Sequence, residues 1–281
     1  MDQHLPQSAI GILDSGVGGL TVAREVFRQL PKERVLYFGD TLRCPYGPRT
    51  PQEVRQFTLE IVHFLSRLPL KALVIACNTA TAAALQEARE QFSIPVLGVI
   101  EPGARAAIKV SRRGRIGVIG TQGTIHSAAY EQALKRIDSE LFVFSHACPT
   151  LVPLVESGNG HSEEARRIVH NALAPLKAHR LDSLILGCTH YPLITEAIGE
   201  VVGEETTLIS SAEETARELS TVLHHKGLLA DGRRFPTGDH HFFISGQPAS
   251  FRRIAETWLG RPLEVEQVSL QSIINQSRTV G

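Results

Sequence analysis

Two cysteines carry the first chemical signal in this chain. Cys77 ends the run ALVIACNTA at 72–80, and Cys188 ends SLILGCTHY at 183–191. The two segments match at an offset of 111 residues (72 to 183), so the thiols fall opposite one another in what reads as an internal repeat. A single Cys after an apolar strand is usually a small core residue. Two in matched positions, each followed by polar residues, exceed what packing needs. A thiol serves as base or acid according to its protonation state, and its pKa can be moved toward neutrality. Two thiols in facing units can address one carbon from opposite sides, removing a proton from one face and returning one to the other. The outcome is inverted configuration. Each Cys stands where a strand gives way to a helix, so free amide N–H groups and the helix dipole should favour its thiolate.

Other polar residues gather at the same strand ends. The first strand closes on Asp14-Ser15-Gly16 and its counterpart on Gly120-Thr121-Gln122. With the hydroxyls of Ser15, Thr79, Thr121 and Thr189, the free N–H groups form an anion-binding rim suited to carboxylates. Asp14, closing a buried strand beside Gly16, Gly18 and Gly19, is read as facing the cleft. For His190 two readings stand, tuning the neighbouring thiol or capping a helix. Glu156, taken alone, reads as a solvated helix-end charge. Cys44 and Cys148 lack a matched setting and read as packing residues, and the pairs His224-His225 and His240-His241 as surface residues. Rival motifs fail. GVGGL suggests a dinucleotide fingerprint, but its third glycine position falls on Thr21, and Asp14 would oppose a pyrophosphate. Apart from Cys188/His190 and His146/Cys148, Cys and His never occur at metal-ligand spacing, so no metal is expected, and no GxSxG nucleophile elbow occurs.

These residues need a scaffold that brings strand ends together. Ile10–Leu13, Val35–Phe38, Leu73–Ala76 and Pro95–Ile100 read as strands buried on both faces. Between the second and third, Thr50, Pro51 and Glu53 announce a capped helix. Ile116–Ile119, Leu141–Phe144, Leu184–Leu186 and Thr207–Ile209 form a second series, and IGILDSG and IGVIGTQ align at an offset of 106 (10 to 116), as do VLYF and LFVF (35 to 141). Such alternation predicts an α/β fold of two pseudo-symmetric parallel-sheet domains with the site in the cleft between them. Ser211 and Glu214 mark a further capping box. After Gly227 come a turn-rich stretch, a strand at His241–Ile244 and a helix around Phe251–Leu259.

The 281 residues are 42% apolar and 21% charged, an ordinary globular composition. Lys and Arg number 29, as do Asp and Glu, so bulk charge offers nothing to nucleic acid or acidic lipid. No run reaches a membrane span, and MDQHLPQSAI lacks a signal peptide's basic start and apolar run. Four cysteines without a disulfide framework complete the expectation of a cytoplasmic protein.

Taken together, DSGVGGLTV at 14–22, YFGDT with RCPYGPR at 37–49, ACNTATA at 76–82, VPLVESG at 152–158 and GCTHYPL at 187–193 resemble the glutamate racemases, as does SG…F…WLG at 245–260. ACNTA with GCTHYPL points to the wider cofactor-independent amino-acid racemases; DSGVGGL with CPYG narrows it. The resemblance implies that Cys77 and Cys188 are the acid/base pair, with Asp14, His190 and Glu156 as auxiliary groups. It places Asp14, Ser15, Tyr46, Gly47, Asn78, Thr79, Thr189 and His190 around the substrate. It also implies interconversion of L- and D-glutamate for peptidoglycan without pyridoxal phosphate or metal, and a discontinuous first domain, 1–98 with 208–281, around a second at 99–207. A homodimer is the expected assembly. ISSAEETA at 209–216 departs from the family's IDSGAETA-like segment, leaving the contact there open. An aspartate or hydantoin racemase, or a carboxylate-binding protein without catalysis, would be the alternatives; two matched thiols are superfluous to simple binding.

Overall fold

A computed structural model describes residues 7–160, 162–231 and 240–277. Eight strands form the two expected series: β1 (Ala9–Asp14), β2 (Val35–Gly39), β3 (Leu70–Ile75) and β4 (Val96–Gly98), then β5 (Arg115–Gly120), β6 (Phe142–Ala147), β7 (Ser183–Gly187) and β8 (Thr207–Ser210). Two more, β9 (His241–Ile244) and β10 (Val265–Gln267), extend the first sheet. Every pairing is parallel, in the orders β10-β9-β2-β1-β3-β4 and β6-β5-β7-β8. The shared 2-1-3-4 order is the repeat made visible. All residues of β1, β2 and β3 are buried, as continuous apolar runs require in a sheet covered on both faces.

The ladders test the sequence offsets residue by residue. Ile10 lies opposite Ala72 and Ile116 opposite Ser183, reproducing the offsets of 106 and 111. The second strands differ. Ile10 pairs with Val35, whereas Ile116 pairs with Val143, so the true match runs from 35 to 143. The expected alignment was two residues short, a slip that keeps each side chain on its face and therefore leaves no trace in the polarity pattern. β4 is shorter than expected because Ile100 already opens α4 (Ile100–Val110). The expected unit boundary after residue 98 coincides with the end of β4, while the one between 207 and 208 falls inside β8, which pairs with β7.

The helices follow their local signals with one shift. Thr50 caps α2 (Pro51–Ser66), accepting from Glu53 N–H at 3.3 Å, while the Glu53 carboxylate accepts from Thr50 N–H at 2.9 Å. In α10 (Ser211–His225) the cap is Ser210, whose Oγ accepts from Ala212 N–H at 3.4 Å. Ser211, the expected cap, is buried instead. α10 packs on both α1 (Leu20–Gln29) and α4, tying the end of the second series back to the first.

Part of the turn-rich stretch after Gly227 lies outside the described residues. What precedes it is anchored by a buried ion pair: Lys71, fully buried on β3, meets Glu33 before β2. Lys71 Nζ also donates to Leu228 O at 2.8 Å, and Glu33 Oε1 accepts from Ala230 N–H at 2.9 Å. His240 corrects the surface assignment. It is buried, stacked on Phe27 at 4.2 Å, and its Nδ1 accepts from Val35 N–H at 3.2 Å. Burial, aided by Arg261 and Arg34, holds its pKa down at about 4, so the ring is neutral and can accept. His224 and His225 are exposed, as expected.

Removing one partner of the Lys71–Glu33 pair strands the other charge in the core. Lys71→Met should therefore cost about 3–5 kcal/mol of unfolding free energy. Adding Glu33→Leu should recover part of that loss, as read by urea denaturation.

Candidate functional site

The two sheets point their carboxyl ends at one another, which is where open parallel sheets expose ligand-binding groups. Asp14 ends β1, and Cys77 follows β3 as the N-cap of α3 (Asn78–Gln91), with Ala80 N–H donating to its Sγ at 3.5 Å. Thr121 follows β5 and caps α5 (Gln122–His126). Cys188 follows β7, but here the expected helix start is absent. A turn leads into the 3₁₀ segment Tyr191–Ile194, with α9 (Thr195–Val202) beginning only afterwards. Helix-dipole support is therefore a property of Cys77 alone.

Cys77 and Cys188 line a single cavity of about 20 Å³. That volume admits about one water molecule. Ser15, Tyr46, Gly47, Asn78, Thr79, Thr121, Thr189 and His190 line the same cavity, so the expected rim residues come together from both halves of the chain. Tyr46 is buried, and its hydroxyl donates to Asp40 Oδ2 at 2.5 Å, so the phenol O–H is committed away from the cavity. Thr79 Oγ1 lies 2.8 Å from Thr121 Oγ1 and 3.1 Å from Thr124 Oγ1, a hydroxyl cluster across the two halves. Gly123 N–H donates to Gly47 O at 2.9 Å beside it.

Asp14, Glu156 and His190 form the electrostatic frame. Asp14 is fully buried; its Oδ2 accepts from Gly16 N–H at 3.0 Å and its Oδ1 from Thr189 Oγ1 at 3.3 Å. Burial raises its pKa, opposed by His190 and by N–H donors at Gly16 and Gly19. His190 is buried too, with Nδ1 3.7 Å from Cys188 Sγ and Nε2 3.1 Å from Glu156 Oε1. Burial disfavours the imidazolium, but hydrogen bonds to Cys188 and Glu156 outweigh it and push the ring up to about 10. His190 makes no side-chain cap bond at the start of the Tyr191–Ile194 segment; its ring contacts are Cys188 and Glu156. Glu156 ends α7 (Leu151–Glu156), and its hydrogen bond to His190 lowers its pKa. The solvated helix-end reading of Glu156 is thus overturned by its bond to a buried ring.

The thiol expectation needs correction. Cys77 is pushed up to about 12 because burial and the adjacent Asp14 outweigh the N-cap amide and Ser15. It is a thiol, not a thiolate, in this closed arrangement.

Two features escaped the sequence. Cys44, read as a packing residue, lines the cavity with Pro45 and Val152. Its Sγ donates to Glu156 Oε1 at 3.7 Å, and burial with the Glu156 carboxylate drives its pKa upward. Its place at the head of CPYG, residues 44–47, was the available signal. Tyr130 on α6 (Ala129–Ile137) reaches the site from a segment with no motif at all, its hydroxyl donating to Asn78 Oδ1 at 2.7 Å. Cys148 is buried, consistent with packing. Among the described residues no three His, Cys, Asp or Glu side chains gather as metal ligands, and no helix is long and apolar enough to cross a membrane.

The glycines of GVGGL have a steric purpose. A Cβ on Gly18 would sit 2.3 Å from Thr189 Oγ1 and 2.5 Å from His190 Nδ1. One on Gly19 would sit 2.5 Å from Asp14 Cβ. Glycine lets the first loop press against the turn that carries Cys188 and His190.

Comparison with known proteins agrees with this geometry. Residues 10–219 match the family model of Asp/Glu/Hydantoin racemases. The chain is 54% identical to a glutamate racemase of Exiguobacterium sibiricum over 93% of its own length and 96% of that protein. A glutamate racemase isoform from Bacillus anthracis superposes with a TM-score of 0.91 at 57% identity, covering 94% of this chain and 98% of the other. The Francisella tularensis glutamate racemase, solved in complex with D-glutamate, superposes with a TM-score of 0.88 at 32% identity, covering 95% of this chain and all of the other. With this identity along nearly its whole length and the site built at the carboxyl ends of both sheets, the chain belongs to the Asp/Glu/Hydantoin racemase family, among its glutamate racemases.

Proposed function

We propose that this isomerase interconverts L- and D-glutamate by proton transfer between Cα and two thiols, Cys77 and Cys188. The observation that carries the reading is that both thiols, ending equivalent strands of two repeated sheets, line one cavity. As a thiolate, one cysteine takes the Cα proton; the other, as a thiol, gives its proton to the opposite face. The two have then exchanged protonation states, and proton exchange with solvent resets them. Cys77, raised by burial, starts as the acid. His190, cationic at neutral pH and 3.7 Å from Cys188 Sγ, is placed to exchange a proton with that sulfur. Glu156 holds the imidazolium, and Asp14 balances its charge from the other side.

The Cα proton is weakly acidic, so the site must stabilise the carbanion by its charges and by concerted transfer. In this reading Ser15, Gly47, Asn78, Thr79, Thr121 and Thr189 hold the carboxylates, and Tyr46 shapes the wall. Glutamate exceeds a cavity of about 20 Å³, so the halves open to admit it and close again to strengthen the electrostatics. We take those halves as 1–98 with 211–281 and 99–210, the second change of unit moved from the expected 207/208 to the end of β8 because β8 pairs with β7. No step draws on pyridoxal phosphate, a metal or the second copy of the expected homodimer. The product would be D-glutamate made in the cytoplasm for peptidoglycan.

Cys77→Ser and Cys188→Ser should each lower racemisation in both directions by about 10²–10⁴-fold, because each turnover uses one thiol as base and the other as acid. Circular dichroism with L- or D-glutamate reads this, and near-normal rates in either variant would make that Cys structural. Isotope incorporation tests the opposed faces. In deuterated water the first D-glutamate formed from L-glutamate should carry solvent deuterium at Cα, while remaining L-glutamate stays protiated. Transfer of the original hydrogen into product would show a single base swinging between faces. The third expectation concerns His190, whose folded pKa lies above its ordinary 6.5. Its imidazolium and the stability it contributes should persist at low and neutral pH and be lost as pH rises through about 10. ¹⁵N NMR of the ring should show both nitrogens protonated at neutral pH. Glu156→Gln should move the alkaline transition down by about one to two pH units, the worth of one charge-assisted hydrogen bond.

A further inference from the structure

We infer that Tyr130 is a positioning residue for the reaction: its hydroxyl fixes the side-chain amide of Asn78 so that the NH₂ group, not the carbonyl, faces the substrate cavity. The inference rests on the glutamate racemase reading and extends it to a residue outside every motif of the site.

Asn78 lines the cavity and is almost wholly buried. Its two ends are treated differently. Oδ1 accepts from the Tyr130 hydroxyl at 2.7 Å, whereas Nδ2 is a buried donor without a partner among the described residues. A buried amide NH₂ left unmatched is costly, so its retention at a ligand cavity points to a partner that arrives with the ligand. An NH₂ group only donates and an amide oxygen only accepts. Whatever meets Nδ2 is therefore an acceptor, and on glutamate the acceptors are the carboxylates.

Nothing in the covalent structure of Asn78 selects this orientation, because an amide turned end for end occupies nearly the same volume. Tyr130 supplies the selection. Its phenol is buried on α6, and the Ser211 side chain reaches the same hydroxyl from α10. With the oxygen's acceptor side met by Ser211, the phenolic proton goes to Asn78, and only Oδ1 can receive it. The ring is itself closely bounded: a Cβ on Gly187 would lie 3.1 Å from it, and one on Gly103 3.3 Å. Tyr130 thus has little freedom to follow Asn78 if the amide turns. Burial raises the phenol's pKa against the opposing bond from Ser211, which keeps it a donor through the working range of pH. Ser211 belongs to the ISSAEETA segment, and this contact accounts for its burial where a cap was expected.

Steady-state kinetics on the full-length enzyme test the inference. Tyr130→Phe keeps the ring and removes the proton that orients the amide. It should raise KM for both enantiomers about tenfold, the equivalent of one hydrogen bond to a charged group, while kcat changes by less than about threefold. In an Asn78→Ala background the same substitution should leave KM unchanged, because there is no amide left to orient. Asn78→Asp, made with Tyr130 intact, tests the orientation independently of whether Tyr130→Phe folds. It replaces the inward donor by an acceptor, so KM should rise well beyond tenfold. A wild-type KM in Tyr130→Phe, an equal KM effect with and without Asn78, or undiminished binding by Asn78→Asp would each overturn the inference. Failure of the unmodified enzyme to racemise glutamate in the same assay would instead overturn the glutamate reading itself.

Discussion

The whole site depends on two backbones approaching with nothing between them. The loop after β1 carries Gly18 and Gly19, and the turn after β7 carries Thr189 and His190. Because Gly18 has no Cβ, His190 and Thr189 can lie directly on the first loop. Thr21 Oγ1 then reaches Thr189 O at 3.1 Å, and Thr189 Oγ1 reaches Asp14 at 3.3 Å. One steric allowance thus joins the two halves, buries Asp14, and brings a cationic ring to within reach of a carboxylate and a thiol. A methyl group there would separate all of them at once.

That approach also explains the electrostatic arrangement. Burial alone would strip His190 of its second proton and protonate Asp14. Placed together in the same dry region, each group moderates the other, and Glu156 adds a bond to the imidazolium. Cys77, which has Asp14 beside it, is driven toward the thiol, whereas Cys188 has the imidazole instead. The repeated scaffold is symmetric in its strands and asymmetric in its charges. In the proposed mechanism, which uses one sulfur as acid and the other as base, the buried Cys77 thiol would begin as the acid.

Much of this was legible in the residues. Buried strands announce themselves as unbroken apolar runs, and the Cys77/Cys188 match survives because β1–β3 and β5–β7 pair in the same register. The β2/β6 match slipped by two because β6 is half-exposed along its length and its polarity constrains register weakly. Asp14 reads from its place at the end of a buried strand as facing the cleft, but it lies wholly buried behind the cavity lining, bonded to Gly16 N–H and Thr189 Oγ1. Glu156 was misread, since a carboxylate at a helix end looks solvated until its tertiary partner is known. Cys44, His240 and Tyr130 share that difficulty: their roles are defined by residues far away in sequence, and no local spacing encodes such contacts. The failed dinucleotide fingerprint is instructive too. The glycines suggest a phosphate cradle by their spacing, while their use is to let protein meet protein.

The small, closed cavity has one more consequence. Three of the four free thiols, Cys44, Cys77 and Cys188, share it, and the fourth is buried in the core of the second half. In the proposed cycle, oxidants and alkylating reagents that would attack a thiolate wait for the same opening that admits substrate. The shelter and the gate are a single motion. In that cycle, time spent open for turnover is therefore also time at risk for these thiols.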